Sequence, residues 1–171
     1  MVLEPPLSKP QSLSALKTVG ELNRPHTHDI KTKLTSLSIV QGEPLLMKAF
    51  HVDERVDFYR IGRTRTINGE AVEHEISYFD RRIVPYLNRD IVEGSIYHYL
   101  EQELNLTISH SQREISFRYA NEEERQSLDL GNYDMVVVVT STSYLDNGQA
   151  FQYGSISYRP DKITFTSTAR R

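Results

Sequence analysis

Alternating apolar and polar positions recur along this chain and predict a structure built mainly from β-strands. The strands are expected at residues 31–40, 56–67, 71–79, 106–119, 136–140, 150–158 and 162–168. Apolar residues at helical spacing predict a few helices between these strands. The helices are expected at residues 12–22, 44–50, 95–104 and 121–130. Consecutive hairpins with a few helices indicate an α+β domain with a central antiparallel sheet.

The clearest turn signal is Asn68-Gly69, which separates two alternating segments and favours a β-hairpin. A two-residue loop would pair Arg63 with His74 and place Glu75 on the other face of the sheet. A longer loop, or a bulge at Gly69, shifts the register by one residue and pairs Arg63 with Glu75. We expect this second arrangement, because only this register places Glu75 beside Arg63.

Arg63 and Arg65 have the most distinctive chemistry in this hairpin. They are two positions apart on a strand, so they share one face, together with Glu75 in the expected register. Buried guanidinium groups are costly unless they are paired or face an anion, and their planar forks suit a phosphate or carboxylate. The other interpretation is a solvated strand face, on which the arginines form surface ion pairs with Glu73 or Glu75.

Other polar groups are suited to completing a site for a phosphorylated sugar. Residues 18–20 lie in a capping-box sequence, whose free amides either hold a phosphate or only cap a helix. Ser95 lies at a predicted helix start, either as a ligand contact or as a plain N-cap. Tyr97 and Tyr158 can stack on a sugar ring or bond its hydroxyls, unless they are core tyrosines with satisfied hydroxyls.

Composition narrows the class of protein. A chain of 171 residues is expected to form one domain, with residues 1–12 as a linker and residues 13–171 as the domain. The net charge of −3 argues against a nucleic-acid-binding surface in this chain. The absence of cysteine excludes disulfides and thiolate metal ligands, and it fits a reducing cytosol.

The signatures of several enzyme classes are missing from the sequence. The histidines form no His-Glu-x-x-His pattern, so we expect no zinc site. Neither Gly-x-Ser-x-Gly nor a glycine-rich phosphate loop with Gly-Lys-Ser/Thr occurs. We therefore expect no catalytic residues, no metal and no cofactor, and we interpret the chain as a small-molecule sensor rather than an enzyme.

The order of motifs resembles the effector-binding (UTRA) domain of bacterial GntR-type transcription regulators of the HutC subfamily. The segments that carry this resemblance are residues 63–70, 75–79, 95–97, 151–153 and 158–165. The likeness extends from about residue 18 to the C-terminus. Residues 90–104, 130–138 and 151–153 are most similar to the trehalose operon repressors of that subfamily.

The resemblance implies a chorismate-lyase-like fold, a homodimer and an N-terminal winged-helix DNA-binding domain outside this chain. It also implies that trehalose 6-phosphate acts as the inducer. In that case the phosphate would be held by Thr18, Val19, Gly20, Arg63, Ser95 and Tyr97. The sugar hydroxyls would be met by Arg65, Glu75, His110, Gln152 and Tyr158.

Two other functions remain open from the sequence. The first is a lyase-like enzyme on the same fold, and the second is a dimerisation module without a ligand. In every case we expect a cytoplasmic protein, since no apolar run is long enough to span a membrane. The chain alone is not expected to bind operator DNA, because it is acidic and lacks a recognition helix.

Overall fold

The computed structural model describes residues 10–12, 29–166 and 169–171 of the chain. Its strands are β1 (Pro10–Ser12), β2 (Ile30–Val40), β3 (Phe58–Ile67), β4 (Glu70–Asp80), β5 (Ile108–Tyr119), β6 (Met135–Leu145), β7 (Ala150–Tyr158) and β8 (Thr164–Thr166). Its helices are α1 (Pro44–Phe50), α2 (Arg89–Glu93), α3 (Ile96–His98) and α4 (Glu122–Ser127). Helix α3 continues directly into a π-helical turn, Tyr99–Glu103. None of the described helices is long and apolar enough to cross a membrane.

Strands β2 to β7 form one six-stranded sheet in the order β2-β3-β4-β7-β6-β5. Every neighbouring pair in this sheet is antiparallel. The short strands β1 and β8 form a separate parallel pair. The predicted α+β class, with a central antiparallel sheet and a few helices, is confirmed.

Some boundaries differ from the prediction for identifiable reasons. Strand β6 continues beyond 136–140 to Leu145, because its polar half is still paired on both sides. The last strand begins only at Thr164, since Pro160 starts a 3₁₀ turn that includes Lys162. Helix α2 was not predicted, although Asn88 caps its start by accepting a hydrogen bond from the Ile91 amide. The predicted helix at 12–22 lies outside the described residues, apart from Ser12, which ends β1 instead.

The hairpin between β3 and β4 has the expected pairing, produced by a different local feature. Arg63 pairs with Glu75 and Arg65 with Glu73, which confirms the register. The loop itself is only two residues long, with Asn68 at φ 51° and Gly69 at φ 84°, so the prediction of a longer or bulged loop was wrong. The extra residue lies instead in β4, where the pairing skips from residue 71 to residue 73. Asn-Gly adopts the tight turn so readily that the register shift occurs beyond it.

Apolar residues pack against both faces of the sheet but do not cover all of it. On one face, α2, α3 and the π-helical turn pack over a cluster that includes Ile61, Phe79 and Leu100. On the other face, α1 packs against Phe58, and α4 is followed by a cluster around Val136. The middle of the first face carries polar side chains instead.

Candidate ligand-binding site

The polar surface lies beside α3 on the face that α2 and α3 cover. Directly paired residues of an antiparallel sheet share a face, so the register identifies its members. We call this set the polar floor. It consists of Arg63 and Arg65 from β3, Glu73, Glu75 and Ser77 from β4, Gln152 and Gly154 from β7, Ser141 and Ser143 from β6, and Ser111 and Arg113 from β5.

The Arg63–Glu75 ion pair of the floor is joined by two hydrogen bonds. Arg63 donates from Nε to Glu75 Oε2 at 3.2 Å and from Nη2 to Oε1 at 2.7 Å. Ser77 Oγ donates to the same Oε1 at 2.7 Å. Burial raises the pKa of Glu75, but attraction to Arg63 and the hydrogen bonds from Arg63 and Ser77 outweigh it, so the net pKa is lowered. Glu75 is therefore an ionised acceptor with a fixed orientation.

The neighbouring Arg65–Glu73 pair has a different balance. Arg65 Nη1 donates to Glu73 Oε2, and both side chains are largely buried, with 13% and 10% of their surface exposed. Burial raises the pKa of Glu73, and repulsion from Glu75 adds to this effect, while Arg65 only partly opposes it. Both ion pairs anticipated from the sequence are thus present, but they are part of a half-buried surface rather than a solvated strand face.

Tyr97 of α3 reaches the floor, and Ser95 caps the start of the same helix. The Tyr97 hydroxyl donates to Gln152 Oε1 at 2.9 Å, and Gln152 is only 7% exposed. Burial raises the pKa of Tyr97, against the opposing effects of a hydrogen bond with Ser143 and the charge of Arg113. Ser95 is exposed, and its Oγ accepts a hydrogen bond from the His98 amide at 3.2 Å. Ser95 is therefore an N-cap, as one of its two interpretations required.

The remaining predicted site residues are placed as follows. Tyr158 is 3% exposed and pairs with Glu73 at one end of the floor. His110 does not reach the floor, because alternation along β5 places it on the opposite face, stacked on Tyr144 with ring centroids 4.9 Å apart. Thr18, Val19 and Gly20 lie outside the described residues.

The structure adds seven floor residues that the sequence interpretation did not assign to the site, which are Glu73, Ser77, Ser111, Arg113, Ser141, Ser143 and Gly154. Ser111 and Arg113 lie on the floor side of β5, whereas only the neighbouring His110 had been considered. Gly154 lies at the centre, where an added Cβ would be 3.4 Å from Ser141 Oγ and 3.8 Å from Ser77 Oγ. The sequence contained one signal for the β5 residues. Ile115 is apolar and lies two positions after Arg113, so the two side chains share a face of the strand.

The floor as a whole offers many fixed donors and acceptors and a bare backbone position at its centre. Such a surface suits a polyhydroxylated ligand with an anionic group, since guanidinium, hydroxyl, amide and carboxylate groups all point to one side. Among the described residues, no group of three or more His, Asp or Glu side chains could hold a metal ion.

Comparison with known proteins identifies the same class of domain. The profile of the UTRA domain matches residues 26–164. The regulator TreR of Bacillus subtilis is 36% identical over 93% of this chain and 67% of its own length. The uncharacterised regulator YydK of the same species is 31% identical over 92% of this chain and 66% of its own length. The chain thus spans about two-thirds of these relatives, which are transcriptional regulators rather than enzymes.

Solved structures agree with the sequence comparison. The effector-binding domain of the B. subtilis trehalose repressor TreR superposes with a TM-score of 0.74 at 38% identity, covering 82% of this chain and 98% of that one. The B. subtilis YydK structure superposes with a TM-score of 0.75 at 32% identity, covering 83% of this chain and 62% of that one. The chain therefore belongs to the UTRA family, as an effector-binding domain of GntR-type transcriptional regulators.

Proposed function

We propose that this domain binds a phosphorylated sugar, with trehalose 6-phosphate as the effector, and that binding releases a repressor from its operator. The observation that carries the proposal is the Arg63–Glu75–Ser77 group facing the Tyr97–Gln152 pair across one polar surface. Fixed charges and hydroxyls in this arrangement bind a ligand without supplying a nucleophile and its base. The likeness to a trehalose repressor supports the choice of sugar.

The proposed residue roles combine the positions on the floor with the family resemblance. Arg63 and Tyr97 hold the phosphate, and the family resemblance adds Ser95 at the start of α3 and residues 18–20. The sugar hydroxyls are met by Arg65, Glu75, Gln152 and Tyr158. His110 is not retained, since it lies on the other face of the sheet. Operator contact belongs to a DNA-binding domain of the whole regulator, and the domain itself responds to the inducer.

Trehalose 6-phosphate is expected to raise the melting temperature of the chain without being converted. At a concentration 100 times its dissociation constant, a ligand adds about 2.7 kcal/mol of stability. For a domain of this size the increase corresponds to a shift of about 5–10 °C. A thermal unfolding series measures the shift, and phosphorus NMR of the same samples detects any product.

Glucose and inorganic phosphate, added separately, are the controls for this experiment. Neither contains the combination of rings and phosphate, so each should shift the transition much less. A panel of sugar phosphates that leaves the melting temperature unchanged contradicts the proposal. Steady conversion of trehalose 6-phosphate would instead show that the domain is an enzyme.

We also propose that the domain forms a homodimer through the outer end of β5. Phe117 and Tyr119 are 70% and 68% exposed, and Met135, paired with Tyr119, is 37% exposed. A contiguous group of large exposed apolar side chains marks an interaction surface. Strand β5 is also an edge of the sheet that the described residues form, and an edge backbone favours pairing with an identical strand in an isologous contact.

Phe117→Asp is expected to convert the dimer to a monomer without unfolding it, because the wild-type side chain is mostly exposed. Leu45→Asp is the matched control, since Leu45 is 50% exposed on α1 at the opposite face. Sedimentation velocity over a range of protein concentrations distinguishes the two forms. A wild-type chain that is monomeric throughout, or a Phe117→Asp variant that still dimerises, contradicts this interface.

A further inference from the structure

Strand β5 contributes two polar side chains to the floor that lack partners in the described part of the chain. Ser111 Oγ is buried and makes no hydrogen bond with any described residue. Arg113 is half-buried, and across the described ranges its guanidinium forms neither an ion pair nor a hydrogen bond. The charge of Arg113 lowers the pKa of the Tyr97 hydroxyl, and the charge of Arg63 does the same, so Tyr97 is influenced from both ends of the floor. Both residues therefore have unused hydrogen-bonding capacity at the β5 end of the floor.

Arg113 differs in this respect from the other two arginines of the floor. Arg63 and Arg65 are each held by a carboxylate of β4, so their charges are compensated. Arg113 is partly exposed to solvent, so its guanidinium offers a ligand five N–H groups in a fixed fork. A ligand with closely spaced oxygen acceptors would satisfy this fork together with the Ser111 hydroxyl.

The position of Arg113 determines which part of a ligand it can reach. The register connects Arg113 to Ser141, Gly154, Ser77 and Ile61 in one row across five strands. Adjacent strands are separated by about 4.8 Å, so the backbones of β3 and β5 are about 19 Å apart. Because Gly154 has no side chain, a ligand can lie flat across the centre between the two ends. A single hexose phosphate anchored at Arg63 would leave the β5 end unoccupied.

We propose that Ser111 and Arg113 form a second sugar subsite, which binds the ring farther from the phosphate and makes the domain selective for phosphorylated disaccharides. The guanidinium fork donates to two neighbouring ring hydroxyls, and Ser111 exchanges a further hydrogen bond with the same ring. The inference rests on the proposed function, because it takes the phosphate to be anchored at the Arg63 end.

Titration calorimetry with three probes tests the subsite. Trehalose 6-phosphate contains both rings and the phosphate, glucose 6-phosphate lacks the second ring, and trehalose lacks the phosphate. The wild-type chain is expected to bind trehalose 6-phosphate more tightly than glucose 6-phosphate. Arg113→Gln should weaken trehalose 6-phosphate and trehalose by roughly tenfold to a hundredfold, the loss of a hydrogen bond from a charged group. The same variant should leave the affinity for glucose 6-phosphate unchanged.

Two further variants test the second sugar subsite. Ser111→Ala should weaken the same two disaccharides by a smaller factor, since a neutral hydrogen bond is lost. Arg125→Gln removes the same charge from an exposed position on α4 and should change none of the three affinities. Thermal unfolding checks that each variant is folded, which we expect because Arg113 contributes no described ion pair.

The possible outcomes separate this inference from the proposed function. Equal wild-type affinity for trehalose 6-phosphate and glucose 6-phosphate overturns the second subsite but leaves a sugar-phosphate sensor intact. The second subsite is also overturned if Arg113→Gln weakens the binding of trehalose 6-phosphate and glucose 6-phosphate equally, since Arg113 would then contact the part that the two ligands share. An Arg113→Gln variant with wild-type affinity for all three probes also overturns the subsite. A wild-type chain that binds no sugar phosphate overturns the proposed function itself.

Discussion

Arg63→Ala is expected to weaken trehalose 6-phosphate binding by roughly tenfold to a hundredfold and trehalose binding far less. A phosphate can accept charge-assisted hydrogen bonds from Arg63, and such bonds contribute about 1.5–3 kcal/mol each. The plain sugar has no group that uses this charge. Calorimetry with both ligands, well below the melting temperature of the variant, gives the two ratios.

Glu75→Ala is the complementary change and should weaken both ligands to a similar extent. Glu75 accepts hydrogen bonds from Arg63 and Ser77, and we assign its remaining acceptor capacity to sugar hydroxyls that the two ligands share. Because both single variants break a half-buried ion pair, Arg63→Lys provides a milder control that keeps the charge beside Glu75 but loses the two-point fork. An Arg63→Ala variant that retains the wild-type preference for the phosphorylated sugar would place the anion site elsewhere.

The hairpin shows how far the sequence could predict this site. The pairing of Arg63 with Glu75 followed from the requirement that both belong to one site, and the structure has this pairing. The position of the bulge did not follow, because Asn68 and Gly69 form a tight two-residue turn and the extra residue lies within β4. A bulge has no fixed sequence signature, so its location depends on packing that only the folded sheet provides.

Strand β5 illustrates a limit of another kind. The sequence predicted a strand at 106–119, but the choice between its two faces determined which residues reach the floor. A pairing irregularity at residue 109 precedes the regular alternation, which then places His110 on one face and Arg113 on the other. Counting back from Ile115 would have indicated Arg113, whereas the family resemblance had suggested His110.

The α3 region was predicted less well than the strands. The sequence indicated one helix over 95–104, and the structure has a three-residue α-helix followed by a π-helical turn. The apolar spacing was correct, since Ile96, Tyr99 and Leu100 are all buried. Apolar spacing alone does not distinguish an α-helix, whose amides bond to the fourth residue back, from a π-helix, whose amides bond to the fifth. Turns of π-helix occur frequently at functional sites. Here the turn begins two residues after Tyr97, which contacts the floor through Gln152.

Glu75→Gln is expected to destabilise the chain more than Glu73→Gln at neutral pH. Breaking a buried ion pair costs about 3–5 kcal/mol, and we expect the lower end because Arg63 and Glu75 remain 20% and 13% exposed. A loss of about 3 kcal/mol lowers the melting temperature of a domain of this size by roughly 6–12 °C. Glu73→Gln also unpairs an arginine, but it removes a carboxylate whose ionised form burial disfavours.

The two variants should also differ in the direction of their pH dependence. The folded-state pKa of Glu75 is lowered from the ordinary value of 4.5, so Glu75 contributes stability above pH 4.5 that is lost as the pH falls through the folded-state value. The pKa of Glu73 is raised, so its contribution is present below pH 4.5 and lost as the pH rises through the folded-state value. Urea unfolding from acid to neutral pH should therefore show the Glu75→Gln curve converging on the wild type in acid. The deficit of Glu73→Gln should instead be smallest at neutral pH, and identical pH profiles for the two variants would contradict the assigned pKa shifts.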